Sequence, residues 1–208
     1  MEKKGLLVVV SGPSGAGKGA VLKHARAIYP NFRYSVSVTT REPREGEIDG
    51  VNYHFRSVEQ FEKMVANGDF LEHKTVHGNY YGTPLVGVQK NLADGYDVVL
   101  EIDTQGALEV KKAFPDCVTI FLTAPKLAIV EERLRERETE TEEQIHTRMK
   151  NSLKELKDAT HYDYIVVNDV IEQCALDILS IIKVEKLKSK YNKNLIDNLL
   201  LEANNYDD

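Results

Sequence analysis

The sequence predicts an α/β fold, a doubly wound parallel sheet, from three observations. First, four short runs rich in Val, Ile and Leu recur along the chain: GLLVVVS, YDVVLEID, CVTIFLT and DYIVVND. Each is too short for a helix and is apolar throughout rather than alternating, the pattern of strands covered on both faces. Second, longer amphipathic stretches separate them, as crossover helices do in a parallel sheet. Third, the first run ends in the glycine-rich turn GPSGAGK, which opens a helical pattern.

In chain order, helices are expected over residues 18–28, 105–113, 126–137, 142–159 and 171–190, alternating with the four strands. Residues 35–92 break the rhythm with paired arginines, scattered tyrosines, a short helical pattern at 58–67 and half-alternating strands near 51–55 and 70–75. They read as an inserted mixed α+β lobe. RLRERETETEE is nearly all charge and reads as a solvated helix face or exposed loop. The core is then 1–34, 93–124 and 151–190, the inserted lobe 35–92, a helical lid 125–150 and a polar helical tail 191–208, all within one domain of 208 residues.

Composition narrows the function. With 42% hydrophobic and 29% charged residues the chain is ordinary for a globular protein with a sizeable core. A formal net charge of −6 argues against a general nucleic-acid surface and makes local arginine clusters more telling. Cys117 and Cys174 lie in apolar surroundings, which reads as reduced thiols in a cytoplasmic protein. The apolar run after MEKK is short of a signal-peptide core, and no stretch is long enough to span a bilayer. His54, His73 and His77 lack zinc-ligand spacing, and no Ser-His-Asp or Cys-His signature is present.

Gly12-Pro13-Ser14-Gly15-Ala16-Gly17-Lys18 follows a buried strand and precedes a helix, the context of a P-loop. Glycines let backbone N–H groups turn inward around phosphate oxygens, the helix N-terminus adds partial positive charge, and Lys18 supplies a full one. The bland alternative is a glycine-rich strand–helix turn. The usual motif continues with Ser or Thr, whereas Gly19 and Ala20 carry no hydroxyl. Arg41 and Arg44 flank Pro43; two guanidiniums on a stiffened segment can fork onto one phosphate monoester, or simply be solvated. Glu101 and Asp103 end a buried strand at the expected ligand side of the sheet.

Taken in order with the loop, SVTTREPREGEIDGVNYHF, FLEHKTVHGNYYGTP, VVLEIDTQGA, RLRERETETEE and YIVVND resemble guanylate kinases, enzymes that pass phosphate from ATP to GMP. The resemblance runs from about Gly5 to Lys190. It implies a P-loop nucleoside monophosphate kinase-like fold, with the inserted lobe binding GMP (and dGMP) and the lid closing over ATP. Gly12 to Ala20, Arg133 and Asn168 match the ATP side. Ser37, Arg41, Arg44, Tyr53, Glu72, Tyr81, Thr83, Glu101 and Asp103 match the GMP side. Lys18, Arg41, Arg137 and Arg148 match residues that act on the transferring phosphoryl group, whereas Arg135 has no counterpart.

The chemistry of the match is apt. Guanine offers N1–H and the 2-amino group as adjacent donors, and the Glu72 carboxylate accepts both; adenine would present a lone pair at N1. Mg²⁺ is implied with ATP, without a firm direct protein ligand but with Glu101 able to reach it through water. The resemblance implies a cytoplasmic monomer or homodimer in purine nucleotide metabolism, with no nucleic-acid or membrane partner. It is imperfect at Ala20, where a hydroxyl residue is usual after Lys-Gly, and at Glu138, where glycine is common. Two rivals remain at this point: a non-catalytic binding module of guanylate kinase type, and a P-loop kinase for another acceptor such as AMP.

Overall fold

A computed structural model describes residues 4–76, 78–135 and 141–203. The elements run β1 (Leu7–Ser11), α1 (Lys18–Ile28), β2 (Phe32–Tyr34), β3 (Val38–Thr39), β4 (His54–Phe55), α2 (Val58–Asn67), β5 (Phe70–Val76), β6 (Asn79–Pro84), α3 (Leu85–Ala93), β7 (Asp97–Glu101), α4 (Thr104–Ala113), β8 (Val118–Thr123), α5 (Leu127–Arg135), α6 (Glu142–Glu155), β9 (Tyr164–Val167), α7 (Ile171–Glu185) and α8 (Ser189–Ala203).

The main sheet has five strands in the order β2-β7-β1-β8-β9, and every pairing in it is parallel. Val8, Val9 and Val10 of the central strand are fully buried, as continuous apolarity requires of a strand covered on both faces. One face packs Leu6, Val8, Val10, Ile120 and Leu122 against Val21, Leu22 and Ala25 of α1 and Ala175, Ile178 and Ile182 of α7. The other packs Leu7, Val9, Val98 and Leu100 against Val88 and Leu92 of α3 and Ala107 and Val110 of α4.

The smaller sheet, in the order β4-β3-β6-β5, is mixed: β3 runs parallel to β4, while β6 runs antiparallel to both β3 and β5. Its lobe is held by an aromatic stack in which Phe61 of α2 lies against Phe70 at 4.6 Å and Tyr80 at 5.4 Å between ring centroids. The first turn of α2 carries a capping box, Ser57 with Gln60, and its end is closed by Gly68 at φ 73°.

Several boundaries differ from the sequence expectation. The main sheet has a fifth strand, β2, a three-residue edge segment too short to carry a period. The strand expected near 51–55 reduces to His54–Phe55, because residues 48–52 are taken up in turns in which Gly50 has φ 77°. β6 and α3 were not anticipated within 35–92, and α3 packs on the main sheet rather than within the lobe. The helix expected over 142–159 gives way to a 3₁₀ turn at Leu156–His161. The helix expected over 171–190 stops at Glu185, and α8 begins afresh at Ser189. No helix among the described residues is long and apolar enough to cross a membrane.

Candidate active site

The carboxyl ends of β1, β7, β8 and β9 point the same way, and the chemistry-bearing residues gather there, as in open parallel sheets generally. The loop after β1 turns through Gly12, Gly15 and Gly17, at φ 139°, 82° and 87°. Two of these glycines are fixed by close approach as well as by backbone angle. A Cβ on Gly12 would stand 2.0 Å from the Leu122 carbonyl oxygen, and one on Gly17 would stand 2.3 Å from the Asn168 amide nitrogen.

The Lys18 ammonium lies along this loop, donating to the carbonyls of Gly12 at 2.6 Å and Pro13 at 3.2 Å. Asn168, 1% exposed at the end of β9, donates its side-chain amide to the Ala16 carbonyl at 2.8 Å and its backbone N–H to the Thr123 carbonyl at 2.7 Å. Arg133 of α5 bridges the same two segments, donating to the Ala16 and Asn168 carbonyls at 3.4 and 3.3 Å. Arg148 of α6 donates to the Ser14 hydroxyl at 3.0 Å. Ser14, Ala16, Lys18, Arg133, Arg148 and Asn168 are therefore brought together. Gly19 and Ala20 are exposed on the first turn of α1, and Pro13 is buried in the loop. Arg135 instead pairs with Glu131 and Glu142 on the surface, as expected of a residue without a counterpart. Arg137 and Glu138 lie outside the described residues, as does His77.

A second cluster faces the loop from the lobe. Glu72 of β5 is 7% exposed and accepts the Thr83 hydroxyl at 2.6 Å across the β5–β6 pair. Burial pushes its carboxyl above the ordinary value, opposed by the Thr83 hydroxyl and the Lys74 ammonium. Asp103 caps α4, its Oδ1 accepting the Gly106 N–H at 2.9 Å, while its Oδ2 accepts the Lys74 ammonium. Ser37, Tyr53, Thr83 and Glu101 line a cavity of about 160 Å³ between lobe and sheet, together with Tyr34 and Asn52.

Arg41 lies at the rim of this cluster. Its guanidinium forks onto Glu47 at 2.8 and 2.9 Å and lies 5.5 Å from the Tyr53 ring centroid. Tyr53 and Tyr81 meet edge to face at 6.0 Å. Glu47 also accepts the Arg44 backbone N–H at 2.8 Å, so one carboxylate shapes the whole TTREPREGE turn and holds Arg41. The Arg44 side chain is exposed.

Glu101 ends β7 with its carboxylate oxygens 3.7 Å from where a Cβ on Gly19 would stand. It lies beside the first turn of α1, within reach of a cation held by phosphates in the loop. Among the described residues no group of three or more His, Cys, Asp and Glu is placed to hold a metal by itself. The Glu101 carboxylate is a hard oxygen donor of the kind magnesium accepts.

Besides Tyr34 and Asn52, three charged residues of these clusters were not singled out from the sequence: Glu47, Lys74 and Glu155. Glu155 ends α6, and its carboxyl is pushed up by burial while Lys18 and the Ser14 backbone N–H pull it down. Each is a single charged residue in a polar stretch, and no spacing marks it. A larger cavity of about 610 Å³, edged by Lys4, Ile28, Lys183 and Tyr191, lies at the opposite end of the sheet from this chemistry.

The family model described as "Guanylate kinase" matches residues 4–185. A guanylate kinase of Carboxydothermus hydrogenoformans is 52% identical over 187 residues, which are 90% of this chain and 92% of that protein. One from Listeria innocua is 47% identical over 91% of this chain and 93% of its own length. Among solved structures, the guanylate kinase of Anaplasma phagocytophilum superposes with a TM-score of 0.71 at 33% identity, covering 91% of this chain and 90% of that one. With the loop, the lobe and the sheet arranged as described, the chain belongs to the guanylate kinase family of phosphotransferases.

Proposed function

We propose that this enzyme transfers the γ-phosphoryl group of ATP reversibly to GMP and dGMP, giving ADP and GDP or dGDP. The observation that carries the reading is the pairing, at one end of one sheet, of a glycine-rich phosphate loop with a buried carboxylate, Glu72, locked to Thr83. The loop suits the phosphates of ATP. The carboxylate suits the N1–H and 2-amino donors of guanine, and an adenine in its place would leave it facing a lone pair.

In this reading the residues divide the labour by position. Backbone N–H groups of the loop and Lys18 hold the ATP phosphates, with Asn168 and Arg133 bracing the loop through the Ala16 carbonyl. Arg41, Arg44, Tyr53 and Tyr81 hold the GMP phosphate, Glu47 presenting Arg41 at the correct rim. Glu72, Thr83, Ser37 and Asp103 read the base. Glu101 is the residue that would approach a magnesium ion bound with ATP, which would supply charge neutralisation. Phosphoryl transfer of this kind needs positioning and electrostatic stabilisation rather than a covalent intermediate. Arg148, already on Ser14 of the loop, acts on the transferring group from the lid, whose closure excludes the water that would otherwise take the phosphate; Arg137 is assigned the same role by the resemblance alone.

Release of ADP measured with ATP, with and without GMP and with magnesium chelated, tests the reading. ADP release that depends on both GMP and magnesium is expected. ADP release indifferent to GMP, or none under any condition, would overturn it, the latter in favour of a binding module.

A further inference from the structure

Strand β5 places Glu72 and Lys74 on the same face, two residues apart. That face looks onto the N-terminus of α4. Lys74 seats its ammonium on Oδ2 of Asp103, whose other oxygen is taken by the Gly106 N–H. A Cβ on Gly106 would stand 3.3 Å from Glu72 Oε2 and 3.4 Å from Asp103 Oδ1. Sharing that neighbour, the two carboxylates lie within about 7 Å of each other, close enough for the Asp103 charge to oppose the charge on Glu72. Glu72 is 7% exposed, so little water screens the repulsion.

The groups that face Glu72 are Lys74 on its own strand, Thr83 on β6, Asp103 at the start of α4 and Glu109 further along that helix. Of the described charges acting on Glu72, Asp103 and Glu109 oppose its ionisation and Lys74 supports it. Without that counter-charge the neighbouring carboxylates favour the protonated form of Glu72. A protonated Glu72 would set an O–H against guanine N1–H and lose one of its two acceptor sites.

We propose that Lys74 is a positioning residue for guanine recognition: its ammonium, seated on Asp103, neutralises the pocket so that Glu72 remains a carboxylate able to accept both guanine donors. This rests on the GMP reading given above. Lys74 acts through Glu72 and Asp103 and does not itself touch the reacting phosphates. Its charge, rather than its exact shape, is what the pocket uses.

The test is the pH dependence of kcat/KM for GMP from pH 5 to 9, at saturating ATP and magnesium, for the unmodified chain, Lys74→Met and Lys74→Arg. Lys74→Met is expected to move the acid limb up by about one pH unit, a loss that approaches tenfold on the acid side of the limb and fades on its alkaline side. Lys74→Arg is expected to restore the limb, and the pH profile of KM for ATP should not move. Calorimetric binding of GMP to the same variants reads the same displacement without turnover. Coincident acid limbs for Lys74→Met and the unmodified chain, or an equal loss at every pH, would overturn the proposal. Failure of the unmodified chain to bind or phosphorylate GMP at any pH would instead overturn the substrate reading on which it rests.

Discussion

Ala20 occupies the exposed first turn of α1, directly behind the phosphate loop. The loop's N–H groups and Lys18 do not depend on it, so phosphate binding should persist. A hydroxyl at this position would add one hydrogen bond to a charged phosphate oxygen, worth about 1.5–3 kcal/mol. Ala20→Thr is therefore expected to raise kcat/KM for ATP by roughly 10- to 150-fold. Steady-state kinetics with ATP and magnesium varied separately measures this, and no gain would mean that the hydroxyl plays no part here.

Glu72 carries a cost in the same molecule. Burial raises its carboxyl above the ordinary 4.5, so the folded chain holds that proton more tightly than the unfolded one. Its contribution to stability is full below the unfolded value and is lost as pH rises through the folded one. Glu72→Gln keeps an acceptor for the Thr83 hydroxyl and removes the charge. It is expected to raise the Tm at pH 7, with the gain shrinking towards pH 4.5; a fall in Tm at pH 7 would contradict this.

At the scale of elements, the strands with continuous apolar runs were legible because burial on both faces leaves no polar position: β1, β7, β8 and β9 lie where the runs predict. α1 and α2 match their expected bounds, each closed by local signals, the loop glycine before α1 and the Ser57 box and Gly68 around α2. What was not legible is what tertiary pairing creates. β2 becomes a strand because Phe32, Arg33 and Tyr34 find Asp97, Val98 and Val99. β6 forms because NYYGTP pairs with β5, although its own pattern is turn-like. At the site, the loop and Glu101 at the end of β7 could be read from position, whereas Asp103, expected to end the same strand, instead caps α4. Lys74 and Glu47 could not, since their meaning lies in partners 29 and 6 residues away.

Helix α6, in the segment proposed as a lid, offers a test at this scale. Its N-terminus is a capping box between Thr141 and Gln144, and Arg148 follows one turn later. Thr141→Ala should cost about 1 kcal/mol of local helix stability. Amide exchange in the first turns of α6 should then quicken about fivefold while exchange in β1 stays unchanged. Unchanged exchange in α6 would show that packing, not the cap, holds the helix.

Across the whole molecule, the proposed function assigns two binding sites to the two residue clusters at the carboxyl ends of one sheet. Arg44→Ala should weaken GMP by about 1.5–3 kcal/mol and leave KM for ATP nearly unchanged, as loss of one charged hydrogen bond on the lobe side. Arg148→Ala should lower kcat more than it weakens GMP, because that side chain approaches the phosphate loop from the lid. Equal effects of both substitutions on both substrates would contradict the separation.

The central claim is that Glu72 reads guanine in a phosphotransferase built on this loop. Its most direct test is the ratio of kcat/KM for GMP to that for AMP, in the unmodified chain and in Glu72→Gln. A ratio of at least about 10² in the unmodified chain is expected, because a buried carboxylate rejects the adenine lone pair, and the ratio should fall in Glu72→Gln with the fold intact. Comparable use of AMP by the unmodified chain, or a ratio that Glu72→Gln leaves unchanged, would contradict it.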